Sequence, residues 1–155
     1  EGDIDGIWAE LGMDKGAAVG LCVRSVRACP GTTYCSLGKQ DALGMGMKLD
    51  VLYHALQLPG KFKMAVSGCR INCAESSVRD FGLIGEADGW RVVVGGNVGV
   101  SPRLADEVAQ GLDDEKALDC VKKVISFYRE TASRGERIGK MIDRLGLDAL
   151  KAALG

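Results

Sequence analysis

Four of the chain's six cysteines fall into two short pairs, and these pairs restrict the fold more than any other feature. Cys29-Pro-Gly-Thr-Thr-Tyr-Cys35 is a C-x5-C unit, and Cys69-Arg-Ile-Asn-Cys73 is a C-x3-C unit. Each follows a stretch with strand character, Ala18 to Ala28 before the first and Phe62 to Val66 before the second. Glycine stands beside the thiols in both loops, at Gly31 and Gly68. A backbone without Cβ can wrap closely around a bulky inorganic centre and aim N–H groups at sulfur. Four thiolates from two loops are what a [4Fe-4S] cubane needs. A structural zinc site with four cysteine ligands is the competing reading. Zinc knuckles usually use spacers of two to four residues, so the five-residue spacer favours iron–sulfur. Four buried thiols with no metal are a third reading, which two close, glycine-flanked pairs make the weakest. Cys22 lies within the first strand stretch and Cys120 beside a helix's apolar stripe, so both read as core packing.

The rest of the composition narrows the class. With 155 residues the chain suits one domain, or one domain and part of another. Its formal net charge of −1 provides no global basic field for nucleic acid. No apolar run approaches the length of a membrane span. The start, EGDIDGIWAELG, lacks the basic and apolar stretches of a signal peptide, and the expected compartment is a reducing cytoplasm. There, six cysteines point to metal or redox chemistry before disulfides. The chain also lacks an initiator Met, which fits a piece of something longer.

Periodicity gives the order of elements. Asp3 can cap a helix to about Met13, followed by a loop over 14–17 and the strand stretch 18–28. A helix is expected from Ser36 to about Leu56, although Gly44 and Gly46 cost it stability. Residues 74–79 read as one or two helical turns. Phe81 to Glu86 and Trp90 to Val94 form a hairpin around Asp88-Gly89. Pro102 opens an expected helix to Gln110. Asp113 or Asp114 caps a long helix carrying Ala117, Leu118, Val121, Val124, Ile125 and Tyr128 at helical spacing. Gly135 and Gly146 punctuate a helical tail. The order predicts an α+β (α/β-like) domain, a mixed sheet covered by helices. Trp8, Met45, Met47 and Trp90 are expected in the core. His54, the only histidine, reads as a helix-surface or packing residue.

These residues resemble the nitrite/sulfite reductase family in its siroheme and [4Fe-4S] domain, particularly its small single-chain members. The likeness rests on the C-x5-C … C-x3-C signature and continues through CAESSVRDFGLIG (73–85), GWRVVVGGNVG (89–99) and the helical tail. It spans roughly residues 18–145. The resemblance implies a [4Fe-4S] cluster on Cys29, Cys35, Cys69 and Cys73, with Cys73 bridging to siroheme. It implies six-electron reduction of sulfite or nitrite to sulfide or ammonia, with a separate ferredoxin or flavoprotein as electron donor. Siroheme carries many carboxylates, which need basic or N–H-rich partners. Arg24, Arg27 and Asn72 are the expected contacts, and Gly95-Gly96-Asn97 is expected to bring backbone to the macrocycle, with a bare glycine turn as the alternative. Lys39, Arg70, Arg79 and Arg103 are further candidates for such contacts, each read first as a surface charge. Arg70 stands where the family usually has Pro, which adds a charge and removes no ligand. Residues 1–17 resemble the end of a preceding ferredoxin-like half-domain, and 18–155 the siroheme/[4Fe-4S] domain. The anion-binding arginines and lysines belong to that front segment, so no catalytic residue is assigned here. An apolar patch around residues 1–28 and on the siroheme side is expected to pair with another copy, while no nucleic acid or membrane partner is expected.

Overall fold

The computed structural model describes residues 3–13 and 16–155. The expected loop over 14–17 lies partly outside them. A five-stranded mixed sheet in the order β1-β2-β3-β4-β5 organises the chain: β1 (Arg27–Ala28), β2 (Met64–Ser67), β3 (Phe81–Glu86), β4 (Gly89–Val94) and β5 (Asp106–Leu112). The first three strands run parallel, and β3/β4 and β4/β5 pair antiparallel. Helices α1 (Ile4–Leu11), α2 (Gly31–Tyr34), α3 (Ala42–Tyr53), α4 (Asp114–Thr131), α5 (Ile138–Leu145) and α6 (Leu147–Leu154) complete it, with a 3-10 turn at Ser76–Val78. Among the described residues, no helix is long and apolar enough to cross a membrane.

The two sheet faces differ, because alternate residues point to opposite sides. Met64, Val66, Phe81, Leu83, Trp90, Val92 and Val94 share one face and join the main core. From α3 come Met45 and Leu49; from α4 come Val121, Val124, Ile125 and Tyr128. Phe62 and Tyr128 meet with ring centroids 5.5 Å apart. The opposite face carries the smaller Ala65, Ser67 and Gly82, and the 3-10 turn lies on it. A Cβ on Gly82 would stand 2.4 Å from the Ser76 carbonyl oxygen. Ser67 and Ser76 hydroxyls share a 2.9 Å hydrogen bond there.

Several expectations shift. The stretch 18–28 is strand only at Arg27–Ala28; upstream it makes isolated bridges, Cys22 to Gln57 and Val23 to Phe62. The helix expected from Ser36 begins at Ala42, where the Asp41 carboxylate accepts from the Gly44 amide at 3.0 Å. Gly44 leaves room for this carboxylate, one oxygen of which would stand 2.2 Å from a Cβ there. Gly46 lets α3 approach β1, its absent Cβ lying 2.6 Å from the Ala28 Cβ. The helix expected from Pro102 to Gln110 is wrong: residues 106–112 are β5. Helix-favouring composition yields because β4 has backbone groups to satisfy on its free edge. The pairing is irregular, with register shifts near Val92. Met47 is 63% exposed and Trp8 half-buried, so neither is core, whereas Met45 and Trp90 are. Trp90 donates from its indole to Asp114 at 2.8 Å.

Candidate metal centre

Strands β1 and β2 run side by side in parallel, with Ala28 opposite Val66. Both therefore end at the same edge, and each feeds a cysteine loop from its C-terminal end. Loops at such ends are where parallel sheets hold their ligands. Cys29 begins the first loop, its amide still bonded to the Val66 carbonyl at 3.1 Å. The Gly68 amide donates to Cys29 Sγ at 3.0 Å, which ties the second loop to a thiol of the first. Lys39 and Gln40 amides donate to the Gly68 carbonyl at 2.7 and 3.1 Å.

A column of glycines makes this contact close enough. A Cβ on Gly38 would lie 2.7 Å from Gly31 backbone, one on Gly68 2.7 Å from the Gly31 Cα, and one on Gly85 2.4 Å from the Gly68 oxygen. Gly31 also holds φ +57°, which glycine adopts without strain. Four backbones thus stack without side chains between them, and the thiols are left at the rim. Cys29, Cys35 and Cys69 are half-buried and Cys73 is exposed; none is in a disulfide. Among the described residues, no three His, Cys, Asp or Glu side chains converge as they would around a single metal ion. Four thiols on two loops, tied together by the Gly68 amide at Cys29 Sγ, are the donor set a [4Fe-4S] cubane uses.

Residues 19–155 match the family described as nitrite and sulphite reductase 4Fe-4S domain. The chain belongs to this family. It is 40% identical, over 97% of its length, to an assimilatory-type sulfite reductase of Nitratidesulfovibrio vulgaris, and covers 69% of that protein. It is 37% identical, over 98% of its length, to an NAD(P)H nitrite reductase of Bacillus subtilis, and covers 19% of it. The chain thus spans about two thirds of one relative and a fifth of the other. The fold also matches a crystal structure of dissimilatory sulfite reductase I at TM-score 0.90 and 15% identity, over 99% of this chain and 57% of that one. NirA of Mycobacterium tuberculosis matches at TM-score 0.85 and 22% identity, over 98% of this chain and 30% of that one.

Within this reductase domain the other expected contacts are already engaged by the protein. Arg27 donates to Glu75 at 2.6 Å, and Arg79 meets the same carboxylate oxygen. Arg24 donates to the Gly20 carbonyl at 2.9 Å, while its Nε and Nη1 are buried without a partner. Its side chain lines a cleft of about 350 Å³ with Lys61 and Lys63. Lys63 has its pKa lowered there, first by burial and then by neighbouring cations. A guanidinium with two unpartnered nitrogens beside a basic cleft suits a carboxylate. Asn72 adopts φ +60° and uses its amide inside the loop, accepting from Ser67 at 3.2 Å and donating to Ser77 at 3.0 Å. Gly96 packs against Arg79 backbone, which a Cβ would approach to 2.6 Å, and Asn97 makes paired backbone bonds with Arg103. These two are held by protein contacts.

Arg79 and Arg103 are not surface charges. Arg79 is 8% exposed, and Arg103 bonds Asp106 at 2.6 Å and Asp143 at 2.9 Å. Arg70 and Lys39 are exposed, as expected. Cys22 and Cys120 are buried, and burial pushes the Cys120 thiol up to about 11. His54 ends α3, with Nδ1 3.3 Å from Asp50. Sequence reasoning missed Glu75, Glu86 and Gln40, polar residues that tie the cysteine loops to the sheet. Their contacts that reach the cysteine loops, Glu75 to Arg27, Glu86 to Arg70 and Gln40 to Glu86, span 48, 16 and 46 residues, which no local pattern marks.

Proposed function

We propose that this chain is the cofactor-binding part of a siroheme- and [4Fe-4S]-dependent reductase of sulfite or nitrite. The observation that carries this reading is the pair of cysteine loops leaving adjacent parallel strands, joined by the Gly68 amide at Cys29 Sγ. Cys29, Cys35, Cys69 and Cys73 hold the cluster, with Cys73, the most exposed of the four, reaching outward to siroheme. Bound together, cluster and siroheme would relay six electrons from the donor, one at a time, for the reduction of sulfite to sulfide or nitrite to ammonia. The backbone N–H of Gly68 donates to Cys29 Sγ and fixes that sulfur between the two loops. The unpartnered Nε and Nη1 of Arg24 receive a siroheme carboxylate. Arg27 exchanges Glu75 for a second carboxylate, leaving Glu75 with Arg79. Asn72 holds the loop before Cys73 in its left-handed turn, and Gly96 and Asn97 line the macrocycle's approach.

Residues 1–17 are the end of a preceding ferredoxin-like half-domain. The exposed Ile4, Ile7 and Leu11 of α1 support this, since an amphipathic helix of this kind buries its apolar face against a neighbour. Sulfite or nitrite is the substrate, a ferredoxin or flavoprotein the donor, and the cytoplasm the compartment. The test is anaerobic purification with iron, sulfide and siroheme analysis and a visible spectrum. A red-brown protein with a chlorin-type band supports the reading. Iron–sulfur absorption without extractable siroheme makes the chain an electron-transfer module. Stoichiometric zinc without sulfide defeats it.

A further inference from the structure

We propose that Glu86 and Arg70 form a positioning pair that holds the two cysteine loops in register and tunes the reduction potential of the cluster between them. The proposal rests on the cluster assignment above. Glu86 is the last residue of β3, and its side chain is only 10% exposed. Its carboxylate accepts from Arg70 Nε at 2.9 Å and lies 3.3 Å from Arg91 Nε. Arg70 immediately follows Cys69, inside the C-x3-C loop. The backbone carbonyl of Glu86 accepts from the Gln40 side chain at 2.9 Å. Gln40 follows the C-x5-C loop and donates its own amide to the Gly68 carbonyl. One strand-end residue therefore grips a side chain from inside the C-x3-C loop and another from just after the C-x5-C loop.

The charges give this grip an electrical consequence. A buried carboxylate is costly unless paired, and the Arg70 bond holds the Glu86 carboxyl below the usual carboxylate range. Arg70 brings a positive charge next to Cys69, and Glu86 partly cancels it. A cluster on four thiolates becomes one charge more negative on reduction, so a nearby cation favours the reduced form and a nearby anion opposes it. Removing the guanidinium charge lowers the potential. Removing the carboxylate charge takes from Arg70 its hydrogen-bonded partner, leaves Arg91 with only Glu107 at 3.6 Å, and raises it. A change in loop stiffness alone does not produce opposite signs.

The experiment is a redox titration of the anaerobically prepared holoprotein, followed by the paramagnetic resonance of the reduced cluster. It compares wild type with Arg70→Gln, Glu86→Gln and Arg70→Lys. At the potential where wild type is half reduced, Arg70→Gln should raise the oxidised-to-reduced ratio about threefold or more, and Glu86→Gln should lower it about as much. Arg70→Lys, which keeps the charge, should stay within about twofold of wild type. Unchanged ratios in both neutral variants, or shifts of the same sign, overturn the proposal. Iron loss in Arg70→Gln that Arg70→Lys restores supports the positioning role; loss that Arg70→Lys shares counts against it. Wild-type protein lacking iron and sulfide sinks the cluster assignment itself, which separates that failure from the failure of the pair.

Discussion

At the cysteine rim, beyond β1 and β2, glycine backbones touch one another, three thiols are half-buried and that of Cys73 is exposed. In the C-terminal arm, α4 to α6, large side chains bury themselves instead: Val121, Val124, Ile125, Tyr128, Ile138, Met141, Ile142 and Leu150. The arm is locked to the sheet by Arg137, whose guanidinium donates to both oxygens of the buried Asp80 at 2.8 and 2.6 Å. The rim has no comparable apolar anchor. It relies on backbone-to-sulfur and backbone-to-carbonyl bonds and on the exposed-to-buried pairs at Glu75 and Glu86. The difference shows a division of labour. Stability is concentrated in the arm, and the rim is free to present groups that would serve a core poorly. Substitutions in the two regions should therefore separate cofactor retention from folding.

The sharpest separation comes from the thiols. Changing any one of Cys29, Cys35, Cys69 or Cys73 to Ser should reduce bound iron by about tenfold or more, with the far-ultraviolet circular dichroism unchanged. A folded variant that keeps its iron would remove that residue from the ligand set. The arm should behave in reverse. Asp80→Ala strands Arg137 half-buried beside an apolar core and should cost about 3–5 kcal/mol in denaturant unfolding. An Asp80→Ala protein as stable as wild type would mean the clamp contributes nothing.

Glycines sharpen the comparison at smaller scale. Gly31 and Gly135 both have positive φ, but a Cβ at Gly31 meets the Ala42 amide at 2.4 Å, whereas Gly135 has nothing within 4 Å. Gly31→Ala should cost about 1–3 kcal/mol and weaken iron retention; Gly135→Ala should cost about 1 kcal/mol and leave iron alone. Equal iron loss in both would show that backbone strain, not contact across the glycine column, governs the rim. The smallest effect is acidic. The Arg144 guanidinium, then the Ser133 amide, hold the Glu136 carboxyl down at about 2. A depressed carboxyl stabilises the fold above its ordinary value of 4.5 and loses that contribution as pH falls toward about 2. The melting-temperature difference between wild type and Glu136→Gln should be small at pH 6 and shrink to nothing near pH 2. A difference that grows on acidification would reverse the sign.

How far each region is legible in the sequence follows the same division. The rim's ligands are readable because covalent spacing is local: Cys29 to Cys35 and Cys69 to Cys73 lie within single loops. The α4 stripe and the β3/β4 hairpin are readable from periodicity and from Asp88-Gly89. β5 is not, because Pro102 and the helix-friendly residues after it give a local signal that the free edge of β4 overrides. Met47 and Trp8 fall outside the core because hydrophobicity alone does not say which side of a helix meets the sheet. Arg27, Arg79, Glu75 and Glu86 are hidden for another reason. Arg27 meets Glu75 from 48 residues away and Arg70 meets Glu86 from 16, so only the tertiary fold joins them, while Glu75 and Arg79 are four residues apart but spacing does not show that Arg79 is buried.

The central claim is that four thiolates on two adjacent loops hold one cubane. Iron and acid-labile sulfide analysis of anaerobically prepared protein, read with the paramagnetic resonance of the reduced sample, tests it most directly. The account predicts about four irons and four sulfides per chain, with a reduced-cluster signal that disappears in Cys29→Ser and Cys69→Ser alike. One zinc per chain with no sulfide, or a full cluster surviving in either variant, would contradict it.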